Sequence, residues 1–166
     1  MAKGKQELTV TDFVAVQSII SKKHAPDEPY RAVEQLAQRL FGHRLFTVMR
    51  HIERSAEVER VYSDNVKAYP VGGRKQKIGT PWGKKVLDRG EVFIAANRDE
   101  LREAFADHEL IFSLGITSIM NVPITYDGRT LATMNISGEA GQYADADIPT
   151  ALALAALLAP VLLAGE

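Results

Sequence analysis

Few residues in this chain are equipped for chemistry. An acid and an imidazole stand side by side at Asp107-His108, there is one tryptophan, Trp82, and Arg74, Lys75, Lys77, Lys84, Lys85 and Arg89 form a basic region. An imidazole titrates near neutral pH, so His108 could donate to a ligand or move a proton. At the head of a helix, the simpler expectation is a histidine bonded locally. Trp82 is expected either to pack in the core or to stack over a planar ligand. The basic region is expected to be a solvated loop and helix face. The alternative is anion attraction beside the helix start at Thr80-Pro81-Trp82.

Much chemistry is excluded. His24, His43, His51 and His108 show neither i, i+4 spacing nor an H-E-x-x-H pattern, so no metal is expected. The chain has no cysteine, which removes disulfides, thiolate nucleophiles and thiolate metal sites. Gly72-Gly73 and Gly79 lack the spacing of a phosphate-cradling loop, and Ser118 has no G-x-S-x-G elbow around it. No cofactor is expected. The net charge is −1 and charged residues make up 25%, so nothing in the overall balance attracts nucleic acid or an acidic membrane. The first residues, MAKGKQELTV, carry no apolar leader, and a cytoplasmic location is the expectation.

The elements that must position these groups read as follows. The chain divides into a tail, helix and linker over residues 1–28 and a main domain over 29–164. The tail is polar to about residue 8. Thr11 is expected to cap a helix running to Lys23, and a second helix spans Pro29 to Phe41 with Val33, Leu36, Ala37 and Leu40 inward. Leu45 to Ile52 reads as a central strand and Val58 to Ser63 as its return. Thr80, Pro81 and Gly90 punctuate a helix with Trp82, Val86 and Leu87 inward. Glu91 to Ala95 is a short strand. Asn97 and Glu100 match a capping box, and Asp107 is expected to cap a helix that Gly115 ends. A hairpin turns at Asp127-Gly128, a dipeptide suited to positive φ at both positions. With a two-residue loop, Val122 faces Thr133 and Ile124 faces Leu131, and Asn121 and Asn135 fall on opposite faces. A single helix, rich in alanine and leucine, is expected from Asp147 to Leu163. It is shorter than the roughly 20 apolar residues of a membrane span and contains Pro160.

The hairpin also carries a resemblance. Gly115, Ser118, Val122 and Pro123, followed by a glycine turn and an apolar strand, resemble the GAF domain, and the order of elements from about residue 30 to 163 strengthens it. Arg60 to Ser63 and Tyr69-Pro70 resemble one bacterial subgroup of that family. The resemblance implies an α+β fold, a central antiparallel sheet of five or six strands between helical layers. It also implies a ligand site between the sheet and the helices inserted between the middle strands, where Tyr62, Trp82, His108, Ser118 and Asn121 are the matching positions. The cysteines of the methionine sulfoxide-reducing members, the bilin-linking cysteine of phytochromes and the Asn-Lys-x-Phe-Asp-Glu pattern of cyclic-nucleotide members are not found here.

The expected function is therefore non-catalytic sensing of an unidentified small molecule by a homodimer that signals through a separate protein. A cysteine-independent enzyme using Asp107 and His108, and a ligand-free interaction module, remain as alternatives. The dimer is expected to use surplus apolar surface on Phe13, Val16, Ile20, Leu154, Leu158 and Val161. The ligand-binding set is Tyr62, Trp82, Asp107, His108, Ser118 and Asn121, around a cavity of at least roughly 300 Å³ between the sheet and residues 80–114. Unpaired N–H groups at the helix starts there would favour an anionic or carbonyl-bearing ligand.

Overall fold

The computed structural model describes residues 6–77 and 79–166; the first five residues of the expected polar tail lie outside them. Six strands form one antiparallel sheet in the order β3-β2-β1-β6-β5-β4. They are β1 (Leu45–Ile52), β2 (Glu57–Ser63), β3 (Arg74–Gln76), β4 (Phe93–Ala95), β5 (Ser118–Tyr126) and β6 (Arg129–Gly138). β1 lies inside the sheet, between β2 and β6, as its apolar content indicates. The three-residue edge strand β3 has too few alternating positions to stand out in the sequence.

Strand alternation divides the core in two. Phe46, Val48, Met120, Val122, Met134 and Ile136 meet one helical layer, made of α1 (Val10–Ile20), α2 (Glu28–Leu40), α6 (Ile148–Ala156) and α7 (Ala159–Ala164). Leu45, Met49, Val58 and Ile119 meet the other, which holds the single turn α3 (Pro81–Gly83), α4 (Arg98–Ala104) and α5 (His108–Ser113). α3 runs on as a π-helical turn over Lys84–Asp88, where the Arg89 N–H reaches back to the Lys84 carbonyl at 3.2 Å.

Several local expectations shift. The first helix is capped by Thr9, which exchanges bonds with Asp12 in a capping box, and not by Thr11. Asp107 precedes α5 without capping it, because its carboxylate is engaged elsewhere. The final helix breaks at Leu157-Leu158 into α6 and α7. Pro160 has no N–H to give, and its ring would crowd the carbonyl four residues back. Leu154, Leu158 and Leu162, four residues apart on one face, all enter the core, each at most 1% exposed. Val16 is buried as well. Half of the residues on which the dimer expectation rested lie inside the chain: Val16, Leu154 and Leu158 are core residues, whereas Phe13, Ile20 and Val161 are half-buried. Among the described residues no helix is long and apolar enough to cross a membrane.

The hairpin turn forms as expected, with φ of 48° at Asp127 and 73° at Gly128. The register beyond it does not. Thr125 pairs with Thr130, but Ile124 pairs with Ala132, so Leu131 is an extra residue, a β-bulge. From there every pairing moves by one: Val122 faces Met134 and Asn121 faces Asn135. Asn121 and Asn135 thus share a face, where a flush ladder separates them. Val61 is a second bulge, since Met49 pairs with Arg60 and Val48 with Tyr62.

Leu158→Ala is expected to destabilise the protein by about 3 kcal/mol, the usual scale for emptying a packed leucine site. Urea unfolding would show it as a lower midpoint at unchanged slope. Val14→Ala, at a 61% exposed position on α1, is expected to change little.

Candidate functional site

A cavity lies between the sheet and the layer of α3, α4 and α5. Its floor is a row of buried polar side chains from three neighbouring strands: Thr47 on β1, Thr133, Asn135 and Ser137 on β6, and Asn121 on β5. The Leu131 bulge and strand parity bring them together. Asn121 Nδ2 donates to Asn135 Oδ1 at 2.6 Å, and Asn135 Nδ2 donates to Thr47 Oγ1 at 3.2 Å, so one hydrogen-bonded line crosses three strands. Leu45, Met49, Ile111, Ile116 and Ile119 form apolar walls, completed by Trp82 and Phe105, whose ring centroids are 5.9 Å apart.

The roof is cationic. Arg60 extends over the Tyr69 ring at 4.6 Å and donates to the Pro70 carbonyl. Tyr69 donates to Asp107 Oδ2 at 3.1 Å, and Lys75 pairs with the same oxygen. Burial works against the Asp107 carboxylate, but the Lys75 ammonium and the bonds from Lys75 and Tyr69 outweigh it and hold the carboxyl below its ordinary value. Burial, then the Asp107 charge, pushes the Tyr69 phenol well up. Lys77 is 8% exposed and lies over the Trp82 ring, with Nζ 3.6 Å from its centroid. Burial, reinforced by Lys75, pulls its amine down to about 7. Lys75 and Lys77 are therefore parts of the site, whereas Lys84 and Arg89 are exposed as a solvated face should be.

Three buried polar atoms on this cavity have no hydrogen-bond partner among the described residues: Asn121 Oδ1, Thr133 Oγ1 and Arg60 Nε. Such atoms are uncommon in folded proteins, because each loses its water without replacement. The cavity itself holds about 50 Å³, far below the ligand-sized space expected. Trp82, Phe105, Ile111 and Tyr69 are buried around what remains.

Of the six residues expected to bind a ligand, Trp82 and Asn121 line this cavity. Asp107 stands behind it, anchoring Tyr69 and Lys75. Tyr62 is on the other face of the sheet, stacked on Tyr30 at 5.4 Å, because the Val61 bulge reverses the alternation after Arg60. His108 bonds locally, Nδ1 to the Phe105 carbonyl at 2.8 Å, and packs on Phe112. Ser118 is fully buried and donates to the Ala95 carbonyl at 2.9 Å, tying β4 to β5. The roof and most of the floor were missed. Polar side chains at every second position of a strand otherwise apolar on both faces, Thr133, Asn135 and Ser137, are the signal that could have found the floor.

On the opposite layer, Glu34, His43 and Asp64 bring three ligand-type atoms within 4.8 Å of one another. The histidine lies between the acids, Nε2 3.2 Å from Glu34 and Nδ1 3.5 Å from Asp64.

The model for the GAF domain matches residues 23–162. The fold is similar to the GAF domain from an Acinetobacter phosphoenolpyruvate-protein phosphotransferase, at 17% identity over 99% of this chain and 96% of that one, with a TM-score of 0.72. It is similar to the A. Aeolicus nlh2 GAF domain in an inactive state, at 15% identity over 95% and 96%, TM-score 0.69. A domain of a two-component sensor histidine kinase protein from Sinorhizobium meliloti aligns at 18% identity over 86% and 93%, TM-score 0.62. No curated protein matches the chain.

Lys77 yields a pH prediction. Its folded pKa of about 7 lies below the 10.5 of a free lysine, so the unfolded chain binds more protons between those values. Stability then rises with pH across that window. Lys77→Met is expected to raise the melting temperature at pH 6 and to lose that advantage progressively toward pH 9. Parallel stability profiles for the two proteins would contradict the buried-amine assignment.

Proposed function

The chain belongs to the GAF domain family, and from that premise we propose that it is a regulatory module that senses a small anion or carbonyl-bearing molecule of few heavy atoms. GAF domains commonly serve as sensory or regulatory modules in signalling proteins. The observation that carries the reading is the set of unpartnered buried atoms, Asn121 Oδ1, Thr133 Oγ1 and Arg60 Nε, gathered on one cavity under a cationic roof. Arg60 and Lys75 against the single carboxylate Asp107 favour negative charge between roof and floor, and Lys77 adds to this when it is protonated. A ligand with two oxygen acceptors would satisfy the donors left open. No nucleophile with an adjacent base faces the cavity among the described residues. The chemistry proposed is thus binding, in the cytoplasm, with the change passed to a separate signalling protein.

Self-association belongs to the same proposal. It cannot use Val16, Leu154 or Leu158, but Val10 and Val14 on α1 and Leu152 on α6 remain exposed, at 79%, 61% and 38%. Val14→Glu should then shift the protein toward monomer in sedimentation equilibrium. An unchanged monomer in the parent protein would remove the dimer from the proposal.

The small cavity volume favours a second reading, a ligand-free interaction module. Native mass spectrometry and thermal-shift titration with formate, acetate and nitrate separate the two. Binding to the cavity predicts a saturable rise in melting temperature. Thr133→Val should abolish much of that rise while stabilising the free protein by on the order of 1 kcal/mol, since it removes an unsatisfied buried hydroxyl. Lys84→Ala should alter neither. Absence of any saturable shift would favour the ligand-free module.

A further inference from the structure

Lys77 stands out among the groups that binding alone does not explain. Its main chain is held on both sides: the N–H donates to the Ala56 carbonyl at 3.0 Å, and the carbonyl accepts from the Thr80 N–H and hydroxyl at 3.3 and 3.1 Å. The side chain is 8% exposed and lines the cavity. Among the described residues no carboxylate pairs with Nζ; its contact is the Trp82 ring. Asp107, an acid of the same roof, is already engaged by Lys75 and Tyr69.

We propose that Lys77 is a site of reversible carbamylation, its Nζ adding to carbon dioxide to give a carbamate that occupies the cavity. This deepens the small-anion reading of the site and rests on it. The lone pair of the neutral amine forms the N–C bond. One C=O electron pair of carbon dioxide moves onto oxygen, and one proton leaves nitrogen for solvent. Nothing is oxidised or reduced. The reaction needs an unprotonated amine, and burial supplies one near neutral pH.

Electrostatics distinguishes this product from a Schiff base. An iminium would restore the positive charge that burial and Lys75 already oppose. A carbamate replaces it with a negative one in the cavity that Arg60 and Lys75 also line. The hydrogen-bond inventory agrees. A carbamate offers two acceptor oxygens and one N–H donor. The unpartnered atoms on the cavity are a donor, Arg60 Nε, a hydroxyl, Thr133 Oγ1, and an acceptor, Asn121 Oδ1. A group of three heavy atoms is also in scale with about 50 Å³, where a larger ligand is not.

The experiment is ¹³C NMR of the protein equilibrated with [¹³C]bicarbonate at pH 7.5, with parallel trapping by triethyloxonium tetrafluoroborate and peptide mapping by mass spectrometry. The expected result is one carbamate resonance, trapped at Lys77, lost in Lys77→Gln and in Lys77→Arg, and at least several-fold weaker at pH 6. The wild-type peptide map locates the adduct even if a variant folds poorly. No adduct at Lys77, or equal trapping on exposed lysines such as Lys84, overturns the proposal. If formate or nitrate still gives a saturable thermal shift, only carbamylation is rejected. If neither is seen, the small-anion reading fails with it.

Discussion

A sheet covered on both faces has nowhere to put polar side chains, and this one places five of them on a single buried face. The hydrogen-bonded line from Asn121 through Asn135 to Thr47 makes that tolerable. Burying an amide without a partner is costly, so each member constrains the next. The line ends with Asn121 Oδ1 unmet, and Thr133 Oγ1 beside it is unmet as well. The cationic roof, the aromatic wall and the empty space between them are arranged around this incompletely satisfied floor.

The two faces are built differently. The layer opposite the cavity uses the long helices α1 and α2 and the broken helix α6–α7, and it buries Val16, Val33, Leu154 and Leu158 almost completely. The layer over the cavity is made of short pieces: a three-residue turn, a π-helical turn, helices of seven and six residues, and three-residue edge strands. Short elements with few long-range contacts occupy the low-stability end of a structure, where ligand-responsive parts are usually found. The π turn also has a local use, because its Val86 carbonyl accepts the Thr130 hydroxyl next to the Leu131 bulge.

The fold was largely legible from the sequence. Leu45–Ile52, the Asp127-Gly128 turn, the Asn97 cap and the Thr80-Pro81 start announce themselves through period, φ requirement or capping chemistry, all local properties. The site was less legible because two one-residue bulges decide it. Each changes which face a strand presents without altering its composition, so plain alternation puts Tyr62 on the cavity side and separates Asn135 from Asn121, and the structure does neither. Lys75 and Lys77 were hidden differently. They lie in a run of charges that reads as surface, and only the pairing of β3 with β2 and the closeness of Trp82 place them inside. His108 and Ser118 were singled out for their chemistry, but local carbonyls satisfy both.

The Leu131 bulge makes the hairpin asymmetric toward changes in chain length. A descendant of this sequence that lost Leu131 would keep the same partners through a flush ladder, Thr125 with Thr130 and Ile124 with Ala132, forfeiting only one leucine's packing. A descendant that gained a residue there would have to loop out a second one. Otherwise the rest of β6 would invert, with Met134 turned to the cavity and Asn135 to the helical core. Deletions at that point should therefore survive drift far more often than insertions. The tip at Asp127-Gly128, beyond the paired region, is under no such rule.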